Sequence, residues 1–283
     1  MLTLTSTDMP AILQHLPQVP HKLHVIGTSL DSLLKKPRIA IVGTRKLTPY
    51  GRGVTYDIAY KLASKGVVIV SGLAIGADSV AHKATLDAGG QTIAVLPSGY
   101  EKIYPSNHTN LAKQIIESGG TIVTEYDGSY LPHAYDFLKR NRIVAALSDG
   151  VVVTEAAIRS GTLNTASHAL ELGLPVFAVP GNITSPLSAG CNNLIKAGAI
   201  PLTSIEDIFN ALKWQDLTAA PKNASGSTPE EQVIIDLLSS GLSDGADLLT
   251  ASNLEARTFN QALTMLEITG IIHPTGANHW NLA

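Results

Sequence analysis

Short apolar runs alternate with longer segments of helical period along the first three quarters of the chain. The runs show no polar alternation, and they lie at 39–42, 67–70, 92–96, 121–124, 151–154 and 175–179. Helical spacing of apolar residues marks the segments 51–64, 79–88, 110–117, 192–197 and 204–213. Strands without polar alternation are typical of a parallel sheet covered by helices on both faces. The pattern therefore predicts an α/β fold with a doubly wound, mostly parallel sheet.

Composition divides the chain into four parts. Residues 1–37 are a lead-in interrupted by prolines, with an edge strand predicted at 23–26. Residues 38–217 form the predicted α/β domain, and 218–228, rich in Ala, Ser and Thr, read as a linker. Residues 229–283 predict three helices followed by a hairpin, which is the order of a small winged-helix domain.

The predicted strands end in small and polar residues. Five such exits are Gly43-Thr44-Arg45, Ser71-Gly72, Pro97-Ser98-Gly99, Thr154-Glu155 and Pro180-Gly181. The carboxyl ends of parallel strands lie at one edge of a sheet, where α/β folds bind their ligands. The five exits therefore predict a cleft that makes backbone contacts with an extended or phosphate-bearing ligand.

One stretch, 136–170, concentrates candidate phosphate-binding groups. It carries two arginines around an asparagine and, after a short apolar run, a loop before a helix: Arg140, Asn141, Arg142, Ser160, Gly161 and Thr162. Free N–H groups at a helix start, hydroxyls and guanidinium groups all bind anions. Ser or Thr before a helix is also an ordinary cap, so this stretch alone leaves both interpretations open.

The two arginines of this stretch lie two residues apart, so on a helix they diverge by about 200°. We therefore expect one of them to face the cleft. The other is expected to form an ion pair with Glu155 or Asp136. Phe137 precedes the arginines, and an aromatic ring beside basic residues can stack on a base of single-stranded nucleic acid, although a core role is the simpler interpretation.

Composition excludes several classes of protein. The single cysteine, Cys191, rules out an internal disulfide and fits the cytoplasm. No Cys/His cluster has metal-ligand spacing, and no apolar stretch has the length of a membrane span, so neither a metal, a cofactor nor a membrane is predicted. The start of the chain lacks the pattern of a signal peptide.

Charge is unevenly distributed along the chain. The formal net charge is −3, but residues 228–283 hold seven acidic side chains against the single basic Arg257, a balance of −6 that leaves +3 for the rest. The basic part is therefore expected to meet a polyanion, and the acidic tail a different partner.

Enzyme motifs are scarce. The chain has neither G-x-x-x-x-G-K-[ST] nor a nucleophile elbow, and the first strand exit does not read G-x-G-x-x-G. Glu155, at a strand exit near the arginines, leaves one alternative open, the cleavage of a nucleotide N-glycoside bond. We otherwise predict that the protein is not an enzyme and has no catalytic residues.

Seven motifs together resemble the DNA-processing protein A (DprA/Smf) family over roughly residues 10–212. They are IAIVGTR at 39–45, SGLAIGADSVAH at 71–82, Tyr104-Pro105, RNRI at 140–143, SGTLNTA at 160–166, Val179-Pro180-Gly181 and LIKAGA at 194–199. The resemblance implies an extended Rossmann-like fold that binds single-stranded DNA and forms a homodimer. It further implies that the protein protects incoming DNA and hands it to the RecA recombinase during natural transformation.

The resemblance also implies roles for individual residues. Arg45, after Gly43 and Thr44, is expected to contact phosphate. The pocket would be completed by Ser71, Gly72, Gly76, Phe137, Lys139, Arg140, Asn141, Arg142, Ser160, Gly161, Thr162 and Lys196. The chain departs from the family at Ala77, where isoleucine is usual, and at Leu138 and Lys139, where a proline is frequent.

Two other functions stay open. The related lysine-decarboxylase-like Rossmann group binds or hydrolyses nucleotides, but its P-G-G-x-G-T-x-x-E loop does not occur around Ser160-Gly161-Thr162. An adaptor acting through the acidic tail is the third hypothesis. A charge of −6 argues against a basic recognition helix in that tail.

Overall fold

The computed structural model describes residues 1–5, 7–214, 226–276 and 278–282. Two compact units divide the chain, Met1–Gln215 and Asp216–Ala283. Among the described residues, no helix combines the length and the apolar character that crossing a bilayer requires. The linker predicted at 218–228 lies for the most part outside the described residues.

A nine-stranded sheet forms the centre of the first unit. Its strands are β1 Leu2–Thr5, β2 Lys22–Gly27, β3 Arg38–Val42, β4 Val68–Ser71, β5 Thr92–Leu96, β6 Thr121–Thr124, β7 Val151–Val153, β8 Val176–Ala178 and β9 Ile200–Pro201. The spatial order is β1-β2-β6-β5-β4-β3-β7-β8-β9. All neighbours from β6 to β9 are parallel, whereas β1 pairs with β2 and β2 with β6 in antiparallel fashion. The predicted doubly wound, mostly parallel sheet is thereby confirmed, and the six runs 39–42 to 175–179 agree with it to within one residue.

The prediction of an edge strand at 23–26 is wrong. This strand, β2, lies between β1 and β6, and the outer position belongs to β1. Val25 faces Leu2 on one side and Val123 on the other. The lead-in thus extends the sheet, because β2 finds a partner almost a hundred residues further along the chain.

Helices cover both faces of this sheet. They are α1 Ala11–Gln14, α2 Leu30–Leu34, α3 Pro49–Ser64, α4 Ala77–Asp87, α5 Thr109–Glu117, α6 Ala134–Ala146, α7 Thr162–Glu171, α8 Ala189–Lys196 and α9 Glu206–Leu212. Between them and the sheet lie apolar side chains of the strands, among which Ile39, Ile41, Ile69 and Ile93 are fully buried. At about 25 cal/mol per Å² of apolar surface, this continuous burial is the main stabilising contribution to the unit.

From residue 226 onward, the described part of the second unit holds three helices, α10 Pro229–Ser239, α11 Gly245–Ser252 and α12 Ala256–Ile268, and a hairpin of β10 Ile272–Gly276 and β11 His279–Leu282. The Thr228 side chain caps α10 by accepting from the Glu231 amide. Three helices followed by a hairpin is the order on which the winged-helix prediction rests, and that assignment stays a prediction.

The strand order reverses at β3. The chain passes from β3 to β4 on one side of the sheet, and β7 later pairs with the other side of β3. Ligands of open α/β sheets bind outside the carboxyl ends of the strands at such a switch point. The turn that starts at Gly43 follows β3 and the loop that starts at Thr154 follows β7, so both of these predicted exits meet at this crevice.

Candidate functional site

A cavity of about 420 Å³ opens at this switch point, within the size range of ordinary ligand sites. The β3 exit, α6 and the loop before α7 supply its polar lining. Residues predicted from the sequence that line it are Gly43, Thr44, Arg45, Phe137, Arg140, Asn141, Ser160, Gly161 and Thr162. The structure therefore brings together two distant segments, the β3 turn and the 136–170 stretch. Among the described residues, no group of His, Cys, Asp and Glu could hold a metal ion.

The turn after β3 is held from two sides. The Thr44 amide donates to the Glu155 carbonyl at 2.7 Å, and the Ala77 amide donates to the Thr44 carbonyl at 3.2 Å. A Cβ built on Gly43 would lie 2.7 Å from the Ala77 Cβ, so only glycine fits between the turn and α4. These contacts fix the direction in which the turn presents the next residue, Arg45.

Arg45 is exposed, and its guanidinium carbon lies 4.9 Å from the centre of the Phe137 ring. The Tyr104 ring meets Phe137 edge-on, with centroids 5.5 Å apart. A guanidinium over an aromatic face keeps its N–H edges available while its plane is held. Phe137 therefore supports Arg45 with one face of its ring.

Arg140 lies beneath the cavity and is only 4% exposed. Its Nη1 donates to the carbonyls of Gly72 and Val95. Burial is the main cause that lowers the pKa of the Arg140 guanidinium to about 10, an effect that Asp78 offsets in part and Arg45 adds to. Arg140 thus places a buried positive charge directly below the cavity, and two backbone carbonyls hold it in position.

Asp78, in the first turn of α4, shares this buried environment. Its Oδ2 accepts from the amides of Gly72 at 3.1 Å and Ala74 at 3.3 Å. Burial raises the pKa of the Asp78 carboxyl, and Arg140 acts in the opposite direction. Asp78 on α4 and Arg140 on α6 therefore both bond to Gly72, the residue that follows β4.

The loop before α7 joins the two sides of the cavity. The Thr162 hydroxyl donates to the Gly43 carbonyl at 2.9 Å, and the Ser160 hydroxyl donates to Thr162 Oγ1 at 3.0 Å. The helix cap is Gly161, which has no side chain, while Asn141 Nδ2 donates to the Gly161 carbonyl at 3.4 Å. The N-cap of α7 therefore has no side-chain hydrogen bond, and the Thr162 hydroxyl instead connects the 136–170 stretch to the β3 turn.

Arg142 lies outside this cavity. It is buried, and its Nη2 donates to Glu125 Oε1 at 2.5 Å. The predicted ion pair therefore exists, but the predicted partners were wrong. Asp136 accepts from the hydroxyls of Tyr126 and Tyr130 instead. The divergence of the two arginines is confirmed, although Arg140, on the cavity side, is itself buried.

Glu155 is 3% exposed, and both of its carboxylate oxygens have partners. Oε2 accepts from the Thr48 amide at 2.9 Å, and Oε1 from the Thr48 hydroxyl at 2.6 Å. Thr48 is the N-cap of α3. Glu155 therefore anchors the start of a helix, which differs from the free carboxylate that the N-glycoside alternative requires.

The remaining candidates do not line the cavity. Ser71 is fully buried and donates to the Ile41 carbonyl at 2.7 Å. Gly72 packs on Arg140, and Gly76 packs on the β3 turn. Lys139 lies 5.6 Å from the centre of the Tyr126 ring, and Lys196 stands in the last turn of α8.

Two exposed basic residues that line the cavity, Lys46 and Arg159, were missed by sequence reasoning. Each directly adjoins a predicted group, Arg45 in one case and Ser160 in the other. Both could have been predicted from the sequence, because each is a basic residue next to a predicted phosphate-binding group.

Gly76→Ala is expected to lower the free energy of unfolding by about 1–3 kcal/mol from its backbone conformation alone. Gly76 has φ +91°, and a Cβ there would lie 2.6 Å from the Arg45 Cα. Urea denaturation measures the loss. Gly53→Ala is the control, since that helical glycine has nothing within 4 Å of its added Cβ. Equal stabilities of the two variants would contradict the packing described for the turn.

Comparison with known proteins gives a consistent assignment. The profile described as DNA recombination-mediator protein A matches residues 1–213. Protein Smf of Escherichia coli (strain K12) is 42% identical over 234 residues, which is 82% of this chain and 59% of that protein. The chain therefore spans less than two thirds of the length of this relative.

Two solved structures are also similar to this chain. DNA processing protein A from Streptococcus pneumoniae is 37% identical, with a TM-score of 0.68 over 74% of this chain and 73% of that one. DNA processing protein A from Helicobacter pylori is 35% identical, with a TM-score of 0.67 over 75% and 96%. The family match, the relative and these structures agree with the motifs and with the sheet described above. The chain belongs to the DNA recombination-mediator protein A family, also called DprA or Smf.

Proposed function

We propose that this protein binds single-stranded DNA through its phosphate backbone in the cavity at the end of β3. The observation that carries the proposal is the exposed Arg45 guanidinium, which Phe137 supports at the mouth of a cavity lined by hydroxyl groups. The Helicobacter pylori relative is described by its single-stranded DNA binding mode. Arginine at a preorganised site favours phosphate, since its planar group donates two parallel hydrogen bonds.

Charge supports the same ligand. Arg45, Lys46 and Arg159 are exposed cavity residues, and none of the three makes an ion pair with a residue that the structure describes. Arg140 adds a buried positive charge below them. A polyanion bound here would release counterions without breaking protein ion pairs at these three residues.

The kind of contact supports single strands of varied sequence. Guanidinium, ammonium and hydroxyl groups recognise phosphate and sugar rather than base edges. A recessed cavity also admits a flexible single strand more readily than a duplex, whose persistence length is about 150 base pairs. We therefore expect tight binding with little sequence preference.

Fluorescence anisotropy with a labelled single strand and the corresponding duplex tests this proposal. We expect the single strand to bind more tightly at every salt concentration. Equal binding of the two, or tighter binding of the duplex, would contradict a backbone site that is reached only by a single strand.

Protection of incoming DNA and loading of the RecA recombinase in the cytoplasm, by a homodimer, complete the proposal. Support comes from the family to which the chain belongs. The test is the rate of recombinase filament assembly on DNA coated with a single-strand-binding protein, with the intact protein and Arg45→Ala compared. We expect acceleration only by the intact protein. No acceleration would remove the loading role and leave DNA binding in place.

A nucleotide-hydrolysing function is not proposed. Its candidate residue, Glu155, is buried and fully engaged by Thr48. The function that we propose is DNA binding, and it requires no catalytic residue.

A further inference from the structure

A second cavity, of about 350 Å³, adjoins the first across one side chain. Leu138 lines both cavities. The second cavity lies between α6 and α7, and its wall includes Pro17 from the loop after α1. We call it the α6–α7 cavity. Nothing in the proposed phosphate site requires it, so its composition needs an explanation of its own.

The α6 side of this cavity is an exposed apolar surface. Tyr135 and Leu138 are 64% and 43% exposed, and both line the cavity. They stand three residues apart on α6, so their side chains emerge on the same face of the helix. An aromatic ring beside an aliphatic side chain, both open to solvent, offers a surface on which a flat group can stack.

The α7 side offers hydrogen-bonding groups. Asn164 and His168 stand four residues apart on α7 and both line the cavity. Asn164 Oδ1 accepts from Asn141 Nδ2 at 3.3 Å, which leaves the Asn164 amide N–H groups as donors. His168 Nδ1 lies 3.1 Å from a Glu171 oxygen, and so Nε2 is the ring nitrogen left for a ligand. The α6–α7 cavity thus has a surface for stacking on its α6 side and hydrogen-bonding groups on its α7 side.

Asn141 connects the two cavities. Its side chain lines the first cavity, at the end of β3, and donates to Asn164 in the α6–α7 cavity. Meanwhile, one face of the Phe137 ring is covered by Arg45 and the ring also packs against Tyr104, so it offers a base only a restricted stacking surface. A strand whose phosphate lies at Arg45 has a more open stacking surface on the other side of Leu138.

We infer that the α6–α7 cavity holds one nucleobase of the strand whose phosphates lie at Arg45. The base stacks on Tyr135 and Leu138, and its polar edge bonds to Asn164 and His168. This inference rests on the proposed function, which it extends from the backbone to a base. Every base carries both donors and acceptors and a flat face, so the subsite tolerates all four bases.

Tyr135→Ala, measured by anisotropy, tests the base subsite. Two oligonucleotides of equal length are used, one of thymidines and one with the same backbone but no bases. The variant is expected to bind the thymidine strand roughly tenfold more weakly, because stacking on an aromatic ring is lost. Binding of the abasic strand is expected to stay unchanged. The control is Tyr56→Ala, which removes an exposed tyrosine on α3 and should leave both affinities as they are.

Asn164→Leu provides a second variant that removes the polar edge without removing the stacking surface. We expect it to weaken only the strand that carries bases. Equal losses on both oligonucleotides, or no loss from either variant, would overturn the base subsite while leaving backbone binding intact. If the unmodified protein binds neither oligonucleotide, the proposed function itself fails, and the base subsite fails with it.

Discussion

Arg45→Ala is expected to weaken single-stranded DNA binding by roughly 10- to 100-fold, since a charge-assisted hydrogen bond contributes about 1.5–3 kcal/mol. The side chain is exposed, supported by Phe137, and placed by a turn that is held on two sides. Anisotropy at one fixed salt concentration measures the loss.

The matched control for this prediction is Arg52→Ala. Arg52 is exposed on α3 and does not line the cavity, so its replacement changes the net charge equally. Equal losses from both variants would mean that overall charge, rather than the cavity, governs binding. The fold should tolerate Arg45→Ala, because Arg45 is exposed and its charge disfavours the charged form of Arg140.

Arg140→Met is expected to lower the free energy of unfolding by about 2–5 kcal/mol, because each buried carbonyl left without its donor costs about 1–3 kcal/mol. The substitution removes donors to the Gly72 and Val95 carbonyls and leaves Asp78 in the interior without its cation. Urea denaturation at neutral pH measures the loss. A loss below about 1 kcal/mol would mean that the buried Arg140 guanidinium does not stabilise the structure below the cavity.

The cost of Arg140→Met should depend on pH. Burial raises the pKa of Asp78, and Arg140 opposes this, so removing Arg140 raises that pKa further. The folded variant then binds a proton more tightly than the unfolded chain does. Its deficit in stability should therefore shrink as the pH falls from neutral toward the ordinary carboxyl pKa of about 3.9. Asp78→Asn combined with Arg140→Met should recover part of the loss, because an amide oxygen can still accept from Gly72 and Ala74.

The parallel part of the sheet could be predicted because each of its strands is a short apolar run that local sequence defines. The position of Arg45 directly after a strand followed from the same pattern, whereas the reversal of the strand order at β3 became visible only in the structure. The predicted edge position of the strand at 23–26 was wrong because this strand, β2, pairs with β6, which lies far along the chain. Local patterns carry no record of such a pairing.

The side-chain partners of the arginines were harder to predict. Helix spacing predicted one arginine in the cleft and one in an ion pair, and the family resemblance implied a pocket role for both. Arg140 does line the cavity and Arg142 does not, but both are buried and donate to protein acceptors. Glu125 lies just after β6, and its proximity to α6 depends on the complete sheet. The type and spacing of these residues indicated their directions on the helix, but burial and partners are set by packing between elements.

The salt dependence of single-stranded DNA binding tests the central claim most directly. For the intact protein and Arg45→Ala, log affinity is measured against log salt concentration. If Arg45 neutralises one phosphate, the slope of the variant should be shallower by about 0.7. A weaker affinity with an unchanged slope would contradict the account, because Arg45 would then act on the shape of the protein and not on the DNA backbone.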